Sequence, residues 1–526
     1  MPFIRNRDGC SSLRLKAIYG ILNQIYRRFR DMNQSDRVFH PDILIVGSGI
    51  TGVSIARELS RYDVSVTVID RGDDIAEGAT KANSGIVHAG YDAVPGTRKA
   101  YFNVRGAAMY PDLCKSLSVP YRKCGALVIG FDEQDLETLE ILYCRGIQNG
   151  VKGLRLLSRG EALEMEPALN PEICGALDVP ESGIVSPYEL AYAMADDAAL
   201  NGVSFLFRQE VISVCRKSPS GWRIETSQGS VFTCKVFINC SGSSGADLHN
   251  MISDLPLRMT HRRGQYYLLD RSSSQPFRRT VFQCPSSMGK GVLVSPTVHG
   301  NLLLGPNAED IDNPMDTATT SEGLSSVLLR AERTWPAVSV RSNITNFSGV
   351  RAHLDTDDFV TGPVSGAPDA FEAIGIESPG LSSAPAVAVE LSSLVAESMS
   401  LVRKPSILPP RKPLKPFHDM DDEERAAAVR SDPLNGNIIC RCEIVTEAEI
   451  REAIRRPVGA RTVDGVKRRT RAGMGRCQGG FCSPRVASII SEETGLSLKE
   501  ITKDGGESRL LADTVESFLK GGSDND

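Results

Sequence analysis

The stretch HPDILIVGSGITGVSIARELSRYDVSVTVIDRG, residues 40–72, decides the fold. The apolar run Ile43 to Val46 reads as a buried strand, and Gly47-Ser48-Gly49-Ile50-Thr51-Gly52 follows it at once. A helix is predicted from there to about Ser60, and a second strand ends in Asp70, 18 residues past Gly52. A G-x-G-x-x-G run alone is weak, but strand, helix and acid in this order are the context it requires. The glycines allow a tight turn, and backbone N–H groups at the helix start can approach a pyrophosphate. Asp70 would accept ribose hydroxyls. The alternative is a glycine-rich turn in an ordinary strand–helix–strand unit.

The fingerprint occurs once in the chain, which argues against a flavoenzyme that carries its own nicotinamide domain. Later glycine-rich stretches favour a flavin over a nicotinamide: KANSGIVHAGYD from Lys81, VFINCSGSSGADL from Val236 and IGIESPGLSSAPAVAVELSSLV from Ile374. The last is a turn feeding a helix, whose positive end could face an isoalloxazine that becomes anionic on reduction.

The chain has 526 residues, 41% of them hydrophobic and 24% charged, a composition able to build a core in several folded units. With a net charge of −5 and no basic stripe interleaved with aromatics, nucleic acid is not an expected partner. No apolar run reaches the roughly 20 residues of a spanning helix. Thirteen cysteines, mostly scattered singly in apolar settings, indicate a reducing compartment without a disulfide framework. The expected location is cytoplasmic, with peripheral contact at the inner face of the membrane left open. Residues 1–39 form a basic leader in which Leu15, Ile18, Leu22, Ile25 and Phe29 share a helical stripe. It reads as a membrane-surface helix, a transit segment, or a dispensable stretch upstream of Met32.

GSGITGVSIARELS, NSGIVHAGYDAVPGTRKA, SGVRAHLDTDDFV and ESPGLSSAPAVA together resemble the D-amino-acid-oxidase-like FAD oxidoreductases. Within them the chain is most similar to the glycerol-3-phosphate dehydrogenase and L-2-hydroxyglutarate oxidase branch. The resemblance covers residues 40–402 and implies a discontinuous, Rossmann-like α/β FAD-binding domain with an α+β substrate domain over the flavin. It implies FAD contacts at Gly47, Gly49, Gly52, Asp70, Ser84, Gly85, Val211, Gly242, Gly380, Leu381 and Ser382.

Arg351 can meet a carboxylate or phosphate with two parallel N–H groups, which lysine cannot. Relatives of this kind bind the substrate anion with an arginine at this place. The structural alternative is a pair with Asp355, Asp357 or Asp358. His88 is the candidate base for a carbinol proton, with His353 as runner-up. Arg263 or Tyr266, in RRGQYYLLD, is expected to add to the substrate wall.

Residues 403–436 are proline-rich and charged, the composition of a linker with a short helix. Then NIICRCEIVTEAEI and AGMGRCQGGFC place Cys440, Cys442, Cys477 and Cys482 as C-x-C and C-x4-C, separated by 34 residues. Structural zinc usually uses C-x2-4-C in both halves, whereas iron–sulfur sites vary more. This unit, residues 437–500, resembles the bacterioferritin-associated-ferredoxin-like, or BFD-like, [2Fe–2S] domain, mainly helical, with all four ligand positions matched. Residues 501–526 read as a tail.

A cluster after a flavin suggests a dehydrogenase whose electrons leave for a quinone or a redox protein. The expected substrate is a small anionic alcohol, glycerol 3-phosphate ahead of L-2-hydroxyglutarate. Amine oxidation and a non-catalytic subunit of a complex are the alternatives, and homo- or hetero-oligomers are both open. With the two cofactors in separate domains on a flexible linker, Cys477→Ser is expected to remove the cluster and leave the flavin.

Overall fold

The structure, a computed structural model, describes residues 37–513 and 515 except 218–219, 272–275 and 286–290. Most of the basic leader therefore lies outside the described residues. No helix among the described residues is long and apolar enough to cross a membrane.

Ile43–Val46 forms one of the two central strands of a six-stranded sheet. The order is Ser204–Leu206, Val66–Ile69, Ile43–Val46, Val236–Asn239, Ala367–Ile374 and Val360–Val364. All neighbours are parallel except the last pair. The run ILIV is apolar throughout because both faces are covered. Ile43 and Ile45 pack with Ile55, Leu59, Val387 and Leu391 of the helices Ile50–Leu59 and Gly380–Ser398. Leu44 and Val46 pack with Trp222, Ile224 and Phe232 of a four-stranded sheet on the other face. Sequential strands lie on one side of Ile43–Val46 and later ones on the other, so the glycine turn sits at a topological switch point, where α/β sheets bind ligands.

A nine-stranded sheet forms the second body. Its longest strands, Met259–Leu269 and Asn343–Leu354, run antiparallel with Arg262 opposite Arg351 and Gly264 opposite Gly349. Alternation again separates two cores. Leu127, Ile129 and Val281 pack with Val327 and Ala331 of helix Ser321–Thr334, while Val128 and Leu177 pack with Leu139 and Leu142 of helix Glu133–Gln148.

The C-terminal unit has helices Glu447–Ile454, Val463–Thr470 and Ser483–Thr494 around Ile450, Ile454, Val466, Ile489 and Ile490. Thr446 and Glu449 form a capping box at the first of them. Two expectations change here. Ile501, assigned to the tail, is fully buried in this core.

The proline-rich segment is also no free tether. Lys404 Nζ donates to Asn201 O (2.6 Å), Leu408 N to Asn201 Oδ1 (2.8 Å), and Arg411 pairs with both Asp196 and Glu452. Its charged side chains find partly buried acceptors on the first body and on the C-terminal unit, which composition alone does not reveal. The C-terminal unit docks directly as well. Val458 joins the cluster of Ile50, Val53 and Leu190, and its N–H donates to Asp196 Oδ1 at 3.0 Å.

Candidate active site and iron–sulfur centre

A cavity of about 1910 Å³ runs past the glycine turn, between the two larger bodies and up to the C-terminal unit. Gly47, at φ +105°, has no room for a side chain, since a Cβ would lie 2.2 Å from Cys240 O. At Gly52 a Cβ would sit 1.9 Å from Gly47 O, so this glycine sets the helix against the turn. Gly49, the helix N-cap, brings no capping side chain; Thr80 Oγ1 instead takes the N–H of Ile50 at 2.9 Å. The first turn is therefore open to an anion in the cavity. Asp70 is held by Ser48 N (2.6 Å), Ser48 Oγ (2.8 Å) and Gly72 N (2.8 Å), which leaves carboxylate lone pairs for a diol.

Of the other residues expected at FAD, Ser84, Gly85, Val211, Gly242, Gly380 and Leu381 line the cavity beside Gly47, Gly49 and Asp70. Gly52 and Ser382 do not. Gly52 packs beneath the turn, and buried Ser382 Oγ accepts the N–H of His88 at 2.7 Å. That bond ties the His88 segment to the helix Gly380–Ser398. A long cavity with an uncapped helix start, a prepared diol acceptor and a second helix start fits a flavin dinucleotide.

The substrate side is built by the two long strands. Arg262 and Tyr266 face the cavity and, from the partner strand, so do Phe347, Arg351 and His353. Tyr266 stacks on Phe347 with centroids 4.7 Å apart. Burial raises the Tyr266 phenol above its usual range, with Arg351 pulling the other way. Arg351 lies over Gly264, where a Cβ would come 2.9 Å from Nη2, and reaches Asn307 O at 3.3 Å. The ion pair with Asp355, Asp357 or Asp358 does not form: Asp357 takes Lys99 Nζ (3.0 Å), and Asp358 takes the N–H groups of Arg98 and Lys99.

Arg263 is corrected. Its side chain is 5% exposed and turns away from the cavity to Glu309 (3.0 Å) and Asp316 (2.7 Å). Successive strand residues face opposite sides, so Arg262 takes the place expected for Arg263. Among the remaining lining residues, Lys99, Glu377 and Thr80 were not read from the sequence. Their signal, lone polar residues in loops and at a helix start, is not distinctive. His88 lines the cavity with its ring 5.6 Å from that of Phe282. His353 Nδ1 shares a hydrogen bond with Glu377 at 2.8 Å. Lys99 Nζ already bridges Glu377 and Asp357 at 2.9 and 3.0 Å, so this acidic group has its cation.

In the C-terminal unit the four cysteines converge. Cys442 and Cys477 sulfurs lie 3.7 Å apart. The Cys440 thiol is pulled down to about 6, first by its hydrogen bond with Cys482 and, against burial, by backbone N–H groups of Gly473, Glu443 and Cys442. Burial pushes the Cys477 thiol up, but N–H groups of Phe481 and Gly479 bring it down on balance. The Cys482 thiol moves the other way, through its hydrogen bond with Cys440 and its burial, and Cys442 rises on balance. Each close pair therefore holds one sulfur that favours the thiolate, and four converging sulfurs with donors aimed at two of them fit a cluster. Cys442 is exposed and Cys440 buried, so the centre lies at the rim of the unit. Met474 and Gln478, flanking Cys477, line the same cavity as the glycine turn.

Residues 42–394 match the family model for FAD dependent oxidoreductases. The chain belongs to that family. Residues 438–492 match the BFD-like [2Fe–2S] binding domain. FAD and a [2Fe–2S] cluster are thus the cofactors of this oxidoreductase. It is 45% identical to a glycerol 3-phosphate dehydrogenase of Caloramator mitchellensis, over 91% of this chain and 100% of that protein. It is 32% identical to the mitochondrial L-2-hydroxyglutarate dehydrogenase of Homo sapiens, over 51% of this chain and 60% of that one. The FAD-bound L-alpha-glycerophosphate oxidase of Mycoplasma pneumoniae superposes with a TM-score of 0.67 at 30% identity, covering 71% of this chain and 98% of that one. The oxidoreductase is glycerol-3-phosphate dehydrogenase-like.

Proposed function

We propose that this flavoenzyme oxidises the secondary alcohol of glycerol 3-phosphate to the ketone and passes the electrons through its cluster to an external acceptor. The observation that carries the substrate is Arg351, a guanidinium in the cavity that forms no ion pair among the described residues. Such a group is reserved for an anion, and its fork suits a phosphate. Arg262, directly opposite in the strand register, lines the same wall, but its guanidinium is paired with Asp310 (2.6 Å), which leaves Arg351 as the group for the anion. The name of the Caloramator relative agrees with this choice.

FAD supplies the two-electron hydride acceptor, and the cluster supplies a one-electron relay. Arg351 holds the phosphate and fixes which carbon faces the flavin site. His88, tied through its backbone to Ser382 at the second helix start, takes the hydroxyl proton as the carbon loses hydride. His353, oriented by Glu377 beside Arg351, is the alternative base. Tyr266 and Phe347 form an apolar wall that limits water. Met474 and Gln478 in the cavity wall support an exit through the adjacent cluster to a quinone or a carrier protein.

Turnover with an artificial dye acceptor tests the reading across glycerol 3-phosphate, L-2-hydroxyglutarate and a panel of amino acids. A kcat/KM at least tenfold higher for glycerol 3-phosphate is expected. Preference for L-2-hydroxyglutarate or an amine would replace the proposed substrate.

A further inference from the structure

We propose that the [2Fe–2S] domain is a working part of the FAD site, so that cluster occupancy and FAD affinity are thermodynamically coupled. The proposal rests on the assignment of the two cofactors and not on the substrate. Its centre is the segment 73–81, which joins Asp70 to the cavity-lining residues Asn83, Ser84 and Gly85. That segment contains Thr80, the residue that takes the N–H of Ile50 at the FAD helix start. It has no helix or strand of its own, so turn hydrogen bonds and side-chain anchors together set its path.

Four of those anchors come from the C-terminal unit. Both oxygens of Asp74 are held by Arg469, Nη1 at 2.5 Å and Nη2 at 2.7 Å, with both side chains buried. Glu77 accepts from Arg468 Nη2. Lys81 Nζ reaches Asp504 at 2.8 Å, and Asp73 Oδ2 accepts from Gly506 N at 2.8 Å. Arg468 also donates to Tyr192 OH at 2.8 Å, and the Arg469 guanidinium lies 3.9 Å from the centroid of the Tyr192 ring. The flavin domain adds its own anchors, Ala76 N to Ser48 O at 3.1 Å and an Asp73–Arg208 pair. Within the segment Lys81 N donates to Ala76 O (3.1 Å) and Gly78 O (3.2 Å), and Asn83 Nδ2 donates to Ala79 O (3.0 Å) and Thr80 O (2.9 Å). The C-terminal unit thus adds its side-chain anchors at Glu77 and Lys81 to a turn the flavin domain also holds.

Arg468 and Arg469 stand on helix Val463–Thr470, and the chain runs from it directly into the loop of Cys477 and Cys482. Arg471 Nε donates to Glu443, the neighbour of Cys442, at 2.9 Å. In a unit this small, metal-binding free energy is folding free energy. Loss of the cluster would loosen that helix, then the 73–81 segment, then the Thr80 contact at the FAD helix. Coupling of this kind is reciprocal, so bound FAD must stabilise the cluster by the same factor. The expectation that Cys477→Ser spares the flavin is accordingly reversed.

The test uses full-length protein freed of FAD and titrated with it, while iron and sulfide are measured in parallel. For Asp74→Asn, the FAD Kd should rise about tenfold or more, within the usual range of coupling between sites. Lys81→Met, at the more exposed end of the interface, should fold without difficulty and raise the Kd about fivefold. Wild-type protein stripped of its cluster by a chelator should show a rise as well. Added FAD should slow that stripping. An unchanged FAD Kd in Lys81→Met and in chelator-treated wild-type protein would overturn the proposal, whatever Asp74→Asn does.

Discussion

Arg351→Lys keeps the charge at the substrate wall and removes the second parallel N–H. The Arg351 side chain forms no ion pair among the described residues and meets neutral groups, Asn307 O at 3.3 Å and the Tyr266 phenol, so little of the fold depends on it. Deleting one partner of a desolvated charged pair costs roughly 2–5 kcal/mol. A lysine that retains the charge belongs at the low end, about 2 kcal/mol, which corresponds to about a 30-fold loss of kcat/KM at about 1.4 kcal/mol per decade. Arg351→Met belongs near the upper end, a loss of roughly three orders of magnitude. Both variants and wild type should be assayed with a dye acceptor on glycerol 3-phosphate and on glycerol, with thermal unfolding as the folding control. If Arg351 grips the phosphate, the variants lose activity on glycerol 3-phosphate and keep whatever slow rate glycerol supports. Equal losses on the two substrates, or no loss on either, would refute the assignment.

Gly52→Ala would place a Cβ 1.9 Å from Gly47 O, and overpacking of this kind costs about 1–3 kcal/mol; the protein should purify with little flavin, as its absorption spectrum would show. A chain ending at residue 403 loses Arg468, Arg469 and Val458 and uncovers Asp74, Asp196 and Tyr192, all buried in the full chain. Lower flavin content and a lower Tm are expected from that truncation, whereas an independent flavin domain would show neither. Burial pushes the Glu77 carboxyl from its ordinary 4.5 up to about 8, against Arg468 and Lys81. The folded value is the higher one, so its contribution is complete below about 4.5 and fades as the pH rises through 8. On this account the thermal unfolding midpoint should be lower at pH 9 than at pH 6, and Glu77→Gln should flatten that profile.

The flavin site was legible because its signals are local. Gly47, Gly49 and Gly52 act on a strand and a helix that adjoin them in the chain, and Asp70 follows the next strand in the same unit. The cysteine pairs were legible for the same reason, since C-x-C and C-x4-C place two ligands each within one turn of chain. The choice between Arg262 and Arg263 was not. It depends on which face of Met259–Leu269 meets the cavity, and that register is set by pairing with Asn343–Leu354 some eighty positions away. Nor does composition show that prolines and charges around residue 410 are held by Asp196 and Asn201.

The sequence by itself determined a dinucleotide fold, a flavin-type site and a four-cysteine centre, because glycine spacing, strand–helix order and ligand spacing act over short stretches of chain. Tertiary structure alone decided that the cluster unit closes one wall of the flavin cavity. Asp74 and Arg469 lie 395 positions apart, and each is an ordinary charged residue in its own neighbourhood. Their pairing becomes visible only when the fold brings the two side chains together and buries both, where an unpaired charge would be costly.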